Sequence, residues 1–250
     1  MITAASNSRI KRLVQLNQKS KLRRTEDVFL AEGVKMFLEA PREQLQEVYV
    51  SESFLEKCSC REHLEEVGYE VVSDSVFSKI SDTCTPQGVL CVLKQFHYNI
   101  EEMLRDKAPL FLLLENIQDP GNLGTMLRTG EGAGVSGIIM SRDTVDLYNP
   151  KVIRSTMGSI YRVPFYYADD FAAAVHQVQQ AGVSVYAAHL RGKNSYACQD
   201  YTKGTAFLIG NEGNGLREET AELADCYIRI PMEGKVESLN AAVASSILLL

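Results

Sequence analysis

Two kinds of hydrophobic pattern divide this chain. Up to about residue 97 the apolar positions recur at helical or alternating spacing between charged stretches, whereas beyond Pro109 they gather in short unbroken runs. The runs Leu110 to Glu115, Gly137 to Met140, Val183 to Ala188, Thr205 to Gly210 and Cys226 to Ile230 have the length and character of strands buried on both faces. Helical spacing lies between most of them, at Phe171 to Gln180 and again from Leu239 onward. This alternation predicts an open parallel sheet with helices on both faces and a ligand outside the carboxyl ends of its strands.

The first segment reads as a smaller α/β unit. Its pattern predicts helices near Ser8 to Leu16 and Gly33 to Glu39 separated by a basic loop. Strands follow at Glu47 to Val50, Glu70 to Val72 and Gly88 to Lys94, with a helix at Glu52 to Val67. The stretch from Phe96 to Pro109 is polar and has no strong strand pattern, which puts a domain boundary there. The expected domains are 1–97 and 107–250, joined by a short linker that is helical in part.

A chain of 250 residues with ordinary globular composition is long enough for two modest cores. Met1 to Asn7 lacks an apolar core and no run reaches the length of a membrane span, so a cytoplasmic protein without membrane association is expected. The six cysteines are scattered and read as reduced thiols. Cys58, Cys60 and His63 match no common zinc spacing, and no metal is expected. Net charge is -6, yet Arg9, Lys11, Arg12, Lys19, Lys21, Arg23 and Arg24 stand before the first acidic residue. They suit either the solvated side of a helix that turns Ile10, Leu13 and Val14 inward, or contact with nucleic-acid phosphates.

Three loops carry the remaining polar signal. In the first, Asp119-Pro120-Gly121-Asn122 is a turn leading into a helix, on which Asn122, Thr125 and Arg128 share an arc roughly 120° wide. The second, Gly210-Asn211-Glu212-Gly213-Asn214-Gly215, permits close backbone approach but lacks the Lys and Ser/Thr of a phosphate loop. The third runs from Ile230 to Asn240 into a helix apolar or small nearly all round. There Leu239, Ala242, Val243, Ser246, Ile247 and Leu250 form a stripe expected to be buried against the sheet or a second subunit. Taken singly, Asn122 and Ser238 suit helix caps, Asn240 a first-turn polar residue and Arg128 a solvated cation.

Together and in this order, the loops resemble the SpoU/TrmH family of RNA ribose 2′-O-methyltransferases, within the knotted SPOUT superfamily. The resemblance rests on Asn122 and Arg128, on Gly210, Glu212 and Gly215, and on Pro231, Gly234, Ser238, Leu239 and Asn240. It extends to Asn149-Pro150-Lys151, Arg154, Ser155 and Gly158. Ala31-Glu32-Gly33 and the basic stretch before it resemble the ribosomal-protein-like substrate-binding module that such enzymes often carry.

The resemblance implies an α/β fold in which a parallel-sheet catalytic domain ends in a trefoil knot, in a homodimer that uses S-adenosylmethionine. It implies that Ala188, His189, Leu190, Gly210, Asn211, Gly215, Ile230, Pro231, Met232, Ser238, Leu239 and Asn240 hold the donor. Arg128 would be the reacting residue, as an unusual base or as an electrostatic clamp, with Asn122, Glu212, Ser238 and Asn240 orienting the reactants. RNA would lie on Arg154 and the amino-terminal cations. The module favours large-subunit ribosomal RNA over transfer RNA as substrate. The rivals are an RNA-binding protein without catalysis and a small-molecule enzyme on a doubly wound sheet.

Overall fold

The computed structural model describes residues 1–236 and 238–250. The first elements are α1 (Ser8–Gln18), α2 (Ser20–Glu26), β1 (Val28–Glu32), α3 (Val34–Leu38), β2 (Leu45–Ser51), α4 (Glu52–Lys57), α5 (Arg61–Val67), β3 (Glu70–Val72), α6 (Asp74–Ile80) and β4 (Val89–Lys94). Then come α7 (Ile100–Met103), β5 (Leu110–Leu114), α8 (Pro120–Ala133), β6 (Gly137–Ser141), α9 (Pro150–Thr156), β7 (Phe165–Ala168) and α10 (Phe171–Gln180). The last are β8 (Ser184–Ala188), β9 (Asn194–Ser195), β10 (Thr205–Ile209), α11 (Glu218–Ala221), β11 (Cys226–Arg229) and α12 (Ala241–Leu249). They group into two compact units: 1–96 with 146–161, and 97–145 with 162–250.

In the first unit a four-stranded sheet runs in the order β1-β4-β2-β3, antiparallel except for β2 beside β3. Helix α1 forms because Asn7 caps it and Ile10, Leu13 and Leu16 fall on one side, where they pack with Val76, Phe77 and Ile80 of α6. The expected basic loop is instead the helix α2, closed by Asp27 in the left-handed region. The helix expected over 52–67 breaks into α4 and α5, with Cys58 extended. Strand β1, which the pattern did not announce, is buried through Val28 to Ala31 and pairs with β4.

The second unit holds a seven-stranded sheet, order β7-β6-β5-β10-β8-β11-β9, parallel at every pair. Its central strands are the unbroken apolar runs; β6 and β10 are buried along their whole length. Strands β7 and β9 were not expected, being short or only partly buried. Phe111, Leu113, Val185 and Leu208 pack in one cluster with Val175 and Val178 of α10. Helix α12 packs on α8 and β10. It buries Ala241, Ala242, Ser245 and Leu248, so the inward side is largely the small one, and Val243 and Leu250 of the expected stripe stay exposed. Small residues let helices approach closely, and here Thr129 and Ser246 share a hydroxyl hydrogen bond of 3.1 Å. No helix among the described residues is long and apolar enough to cross a membrane.

Candidate active site

Because the strands of the second sheet are parallel, the carboxyl ends of β5, β8, β10 and β11 deliver their loops to one side. After β5, Pro120 occupies the first turn of α8 and Asp119 caps it, accepting the Asn122 N–H at 2.8 Å. The cap suggested for Asn122 therefore belongs to Asp119, and the Asn122 amide is left for other partners. It donates to Glu212 Oε1 at 3.1 Å and accepts from Asn240 Nδ2 at 2.9 Å. Asn240 in turn caps α12 through the N–H groups of Ala242 and Val243. That assignment corrects the expectation of a Ser238 cap.

Glu212 is a junction. Besides Asn122, its carboxylate accepts the backbone N–H of Asp119 at 3.0 Å and of Gln118 at 3.1 Å. Burial pushes this carboxyl up, but the hydrogen bonds, led by that of Asn122, outweigh it and hold Glu212 below the usual carboxylate value. The loop around it is organised by Asn211, whose Oδ1 accepts from the N–H groups of Gly213 and Asn214 and whose Nδ2 donates to Asn116 O at 2.8 Å. The turn closes with paired backbone bonds between Asn211 and Gly215, where φ is +70°. At Gly210 a Cβ would stand 2.2 Å from Gly215 C and Leu216 N, so only glycine fits.

These loops enclose a recess of about 630 Å3. Of the residues assigned to a donor, Ala188, His189, Leu190, Gly210, Asn211, Gly215, Ile230, Met232, Ser238 and Leu239 line it; Pro231 and Asn240 do not. Asn240 instead faces a shallower recess alongside, shared with Gln118, Asp119, Asn122, Asn211, Glu212 and Gly213. Sequence reasoning missed Ile209, Arg229, Val236 and Ala244 of the wall, for which continuity with the named loops was the available signal. Burial, reinforced by Arg191, lowers His189 below the ordinary histidine value.

Arg128 is exposed and lines neither recess, and its side chain makes no hydrogen bond or ion pair among the described residues. It stands on α8 six residues after Asn122, about 9 Å along the axis. The amino-terminal cations separate into two groups. Lys11, Lys19, Lys21 and Arg24 are exposed and unpaired among the described residues, whereas Arg9 bonds to Glu70 at 2.8 Å and Arg12 to Glu26 and Glu47 at 2.6 and 2.8 Å. Arg23 is a correction to the expected phosphate contacts. It is 3% exposed, donates to Leu16 O and Asn17 O, and pairs with Asp146 at 2.5 Å, so its charge is consumed inside the first unit. Arg154 is exposed and pairs with Asp82 at 3.5 Å.

Residues 109–250 match the SpoU rRNA Methylase family. The chain belongs to that family. Residues 7–91 match the MRM3-like substrate binding domain. Among SpoU relatives, the 23S rRNA (guanosine(2553)-2'-O)-methyltransferase RlmP of Bacillus subtilis is 32% identical over 250 residues, covering 99% of this chain and 96% of that protein. An AdoMet-bound rRNA methyltransferase from Sinorhizobium meliloti is 30% identical with a TM-score of 0.84, over 99% of this chain and 95% of that one. The SpoU methyltransferase AviRb from Streptomyces viridochromogenes, in complex with AdoMet, shares the fold with a TM-score of 0.88 at 24% identity, over 97% and 96%. The cluster of Asn122, Glu212 and Asn240 and the adjoining recess thus lie in the SpoU part of the chain.

Proposed function

We propose that this protein transfers the methyl group of S-adenosylmethionine to a ribose 2′-oxygen of ribosomal RNA. The observation that carries the reading is the side-chain path from Asn240 through Asn122 to Glu212, set at the rim of a recess large enough for a nucleoside-sized donor. The recess fits that donor chemically. Its walls combine apolar Leu190, Ile209, Ile230, Met232 and Leu239 with the backbone of residues 210–216, and Gly210 brings that backbone in where a Cβ would collide. When bound, S-adenosylmethionine supplies an electrophilic methyl carbon whose C–S electron pair leaves with the sulfur.

The residues of this chain orient and stabilise. Glu212 fixes the start of α8 by holding two backbone N–H groups, and Asn122 is pinned between Glu212 and Asn240. The attacking oxygen forms the new C–O bond and gives its proton to water. A guanidinium stays protonated in nearly every protein site, so Arg128 acts as a cation that stabilises charge developing on that oxygen. Ser238, on the wall of the recess, completes the polar rim.

The module at 1–97 presents the RNA through Lys11, Lys19, Lys21 and Arg24, and the SpoU domain at 107–250 carries the chemistry, in the cytoplasm. We read the carboxyl-terminal part as a trefoil knot: β10 lies between β5 and β8, and Gly192 approaches Ile228 so closely that a Cβ would stand 2.7 Å from its carbonyl carbon. A homodimer is supported by exposed Val243 on α12, and by Arg128, which its own chain leaves outside both recesses.

The test is a map of 2′-O-methylation across total RNA from cells with and without this protein, paired with methyl transfer from labelled S-adenosylmethionine to ribosomal and transfer RNA. One ribosomal position should lose its mark. Methylation of transfer RNA alone, or none, would overturn the reading.

A further inference from the structure

Glu115, the residue after β5, is 1% exposed and takes no part in the chemistry above. A carboxylate this buried is costly unless every oxygen is engaged. Here both are. Oε2 accepts the backbone N–H of Arg217 at 2.8 Å; Oε1 accepts the Thr220 hydroxyl at 2.5 Å and lies 3.5 Å from Arg217 Nη1. The other guanidinium nitrogen of Arg217 bonds to Asp143, which also accepts the Ser141 hydroxyl.

The backbone of the same residue does something different. The Glu115 N–H donates to Ile209 O at 2.9 Å, at the last residue of β10. Loop 210–216 therefore leaves a strand tied to the main chain of Glu115 and ends at Arg217, tied to its side chain. Every residue of that loop lines the recess. Glu212 makes the return connection, holding the N–H groups of Gln118 and Asp119. The two segments thus exchange carboxylates: Glu115 accepts one backbone N–H, that of Arg217 at the end of the second loop, and Glu212 accepts two from the first.

We propose that Glu115 is a positioning residue that clamps both ends of loop 210–216 and so sets the shape of the donor recess. The inference rests on the methyl-transfer reading for its ligand, but the clamp itself is a property of the chain. Replacing Glu115 by Gln keeps the size but leaves one acceptor oxygen for three donors: if that oxygen serves the Arg217 N–H, the NH2 group faces the Arg217 guanidinium and a Thr220 hydroxyl that must turn from donor to acceptor.

The experiment compares wild type, Glu115→Gln and Thr220→Val by hydrogen exchange, calorimetry and steady-state kinetics. In Glu115→Gln, amide exchange across 211–217 should speed up by about tenfold or more, the size of one lost hydrogen bond to a charged group. Exchange in α10 and in the first unit should not change. Affinity for S-adenosylmethionine should weaken by about the same factor, raising KM for the donor while kcat at saturation is retained. Thr220→Val should give a smaller effect at the same amides, which keeps the idea testable where Glu115→Gln fails to fold. A folded Glu115→Gln protein with unchanged loop exchange and unchanged affinity would overturn the clamp. Failure of the wild type to bind the donor would instead sink the methyl-transfer reading, and loop exchange alone would then decide the clamp.

Discussion

Asn122 and Glu212 stand 90 residues apart in sequence and are joined by one side-chain hydrogen bond of 3.1 Å. The bond connects the first turn of α8 to the loop after β10, and Asn240 adds the start of α12 to the same amide. Three motifs are held in register through one side chain. Asn122→Ala should lower kcat for methyl transfer by about a hundredfold, the scale of a misplaced reacting group. Affinity for S-adenosylmethionine should hold, since Asn122 does not line its recess. Loss of stability should stay near ~1 kcal/mol. Kinetics with calorimetry would check this; an equal loss in donor affinity would contradict it.

The same bond has a pH consequence. The Glu212 carboxyl is raised by burial but lowered further by its hydrogen bonds, with a net depression in the folded state. A depressed carboxyl lends stability that is complete above its unfolded value of about 4.3 and drains away as pH falls through the folded value. Removing the Asn122 amide takes away the leading opponent of burial. In Asn122→Ala the Glu212 carboxyl should titrate at higher pH than in wild type, and acid loosening of the loop should begin earlier. Carboxyl-carbon NMR titration of both proteins gives the answer, and superimposable curves would count against it.

Gly210→Ala tests the recess from the other side. The added methyl would meet backbone atoms of Gly215 and Leu216, which cannot rotate aside as a side chain could. The variant should lose about 1–3 kcal/mol of stability, as overpacked sites do, together with measurable donor binding. Thermal unfolding and titration would show it; a variant that binds normally would mean the turn opens without cost.

How far the sequence carried can be read from particular residues. The parallel sheet was legible because its strands are unbroken apolar runs, and part of the polar cluster because Asn122 and Glu212 sit beside glycines in the loops that follow two of those strands; Asn240, flanked by Leu239 and Ala241, stood out only through the family resemblance. Caps were less legible: Asp119 and Asn122 are both good cap residues, and only the Pro120 position and the bonding of Asn122 to Glu212 decide between them. Burial of charge was invisible. Arg23 reads as one more cation in a basic stretch, and its partner Asp146 lies 123 residues away. Glu115 ends an apolar run, and its donors come from residues more than 100 positions later.

That separation of the cations gives a prediction for RNA. Reversing Lys11, Lys19, Lys21 and Arg24 to Glu together should weaken RNA binding and flatten its salt dependence by roughly 0.7 to 0.9 in slope for each phosphate no longer neutralised. Arg9 and Arg12 already neutralise Glu70, Glu26 and Glu47, so single alanine variants there should change the slope little. Arg23→Ala should instead cost on the order of 2 kcal/mol of stability, because it leaves Leu16 O and Asn17 O without this donor and a half-buried Asp146 without its cation. Binding isotherms at several salt concentrations separate the first two classes, and thermal or denaturant unfolding identifies the third. An unchanged slope in the fourfold variant would remove this surface from the RNA interface.

Arg128 poses the sharpest question, because its own chain leaves it outside both recesses. In a symmetric dimer each α8 can offer Arg128 to the site of the other protomer, where Asn122, Glu212 and Asn240 wait. Arg128→Ala and Asn122→Ala would each retain on the order of a hundredth of wild-type activity or less alone. Mixed after unfolding and refolding together, equal amounts give heterodimers as half of all dimers. If Arg128 works across the interface, one of the two sites in each heterodimer has both side chains, so about a quarter of wild-type activity should return. If Arg128 serves its own chain, every site in the mixture lacks one of the two and activity stays at the level of the parents. Wild-type affinity for S-adenosylmethionine in Arg128→Ala confirms that the donor recess is intact, and recovery of methyl transfer on mixing then decides which protomer supplies the cation.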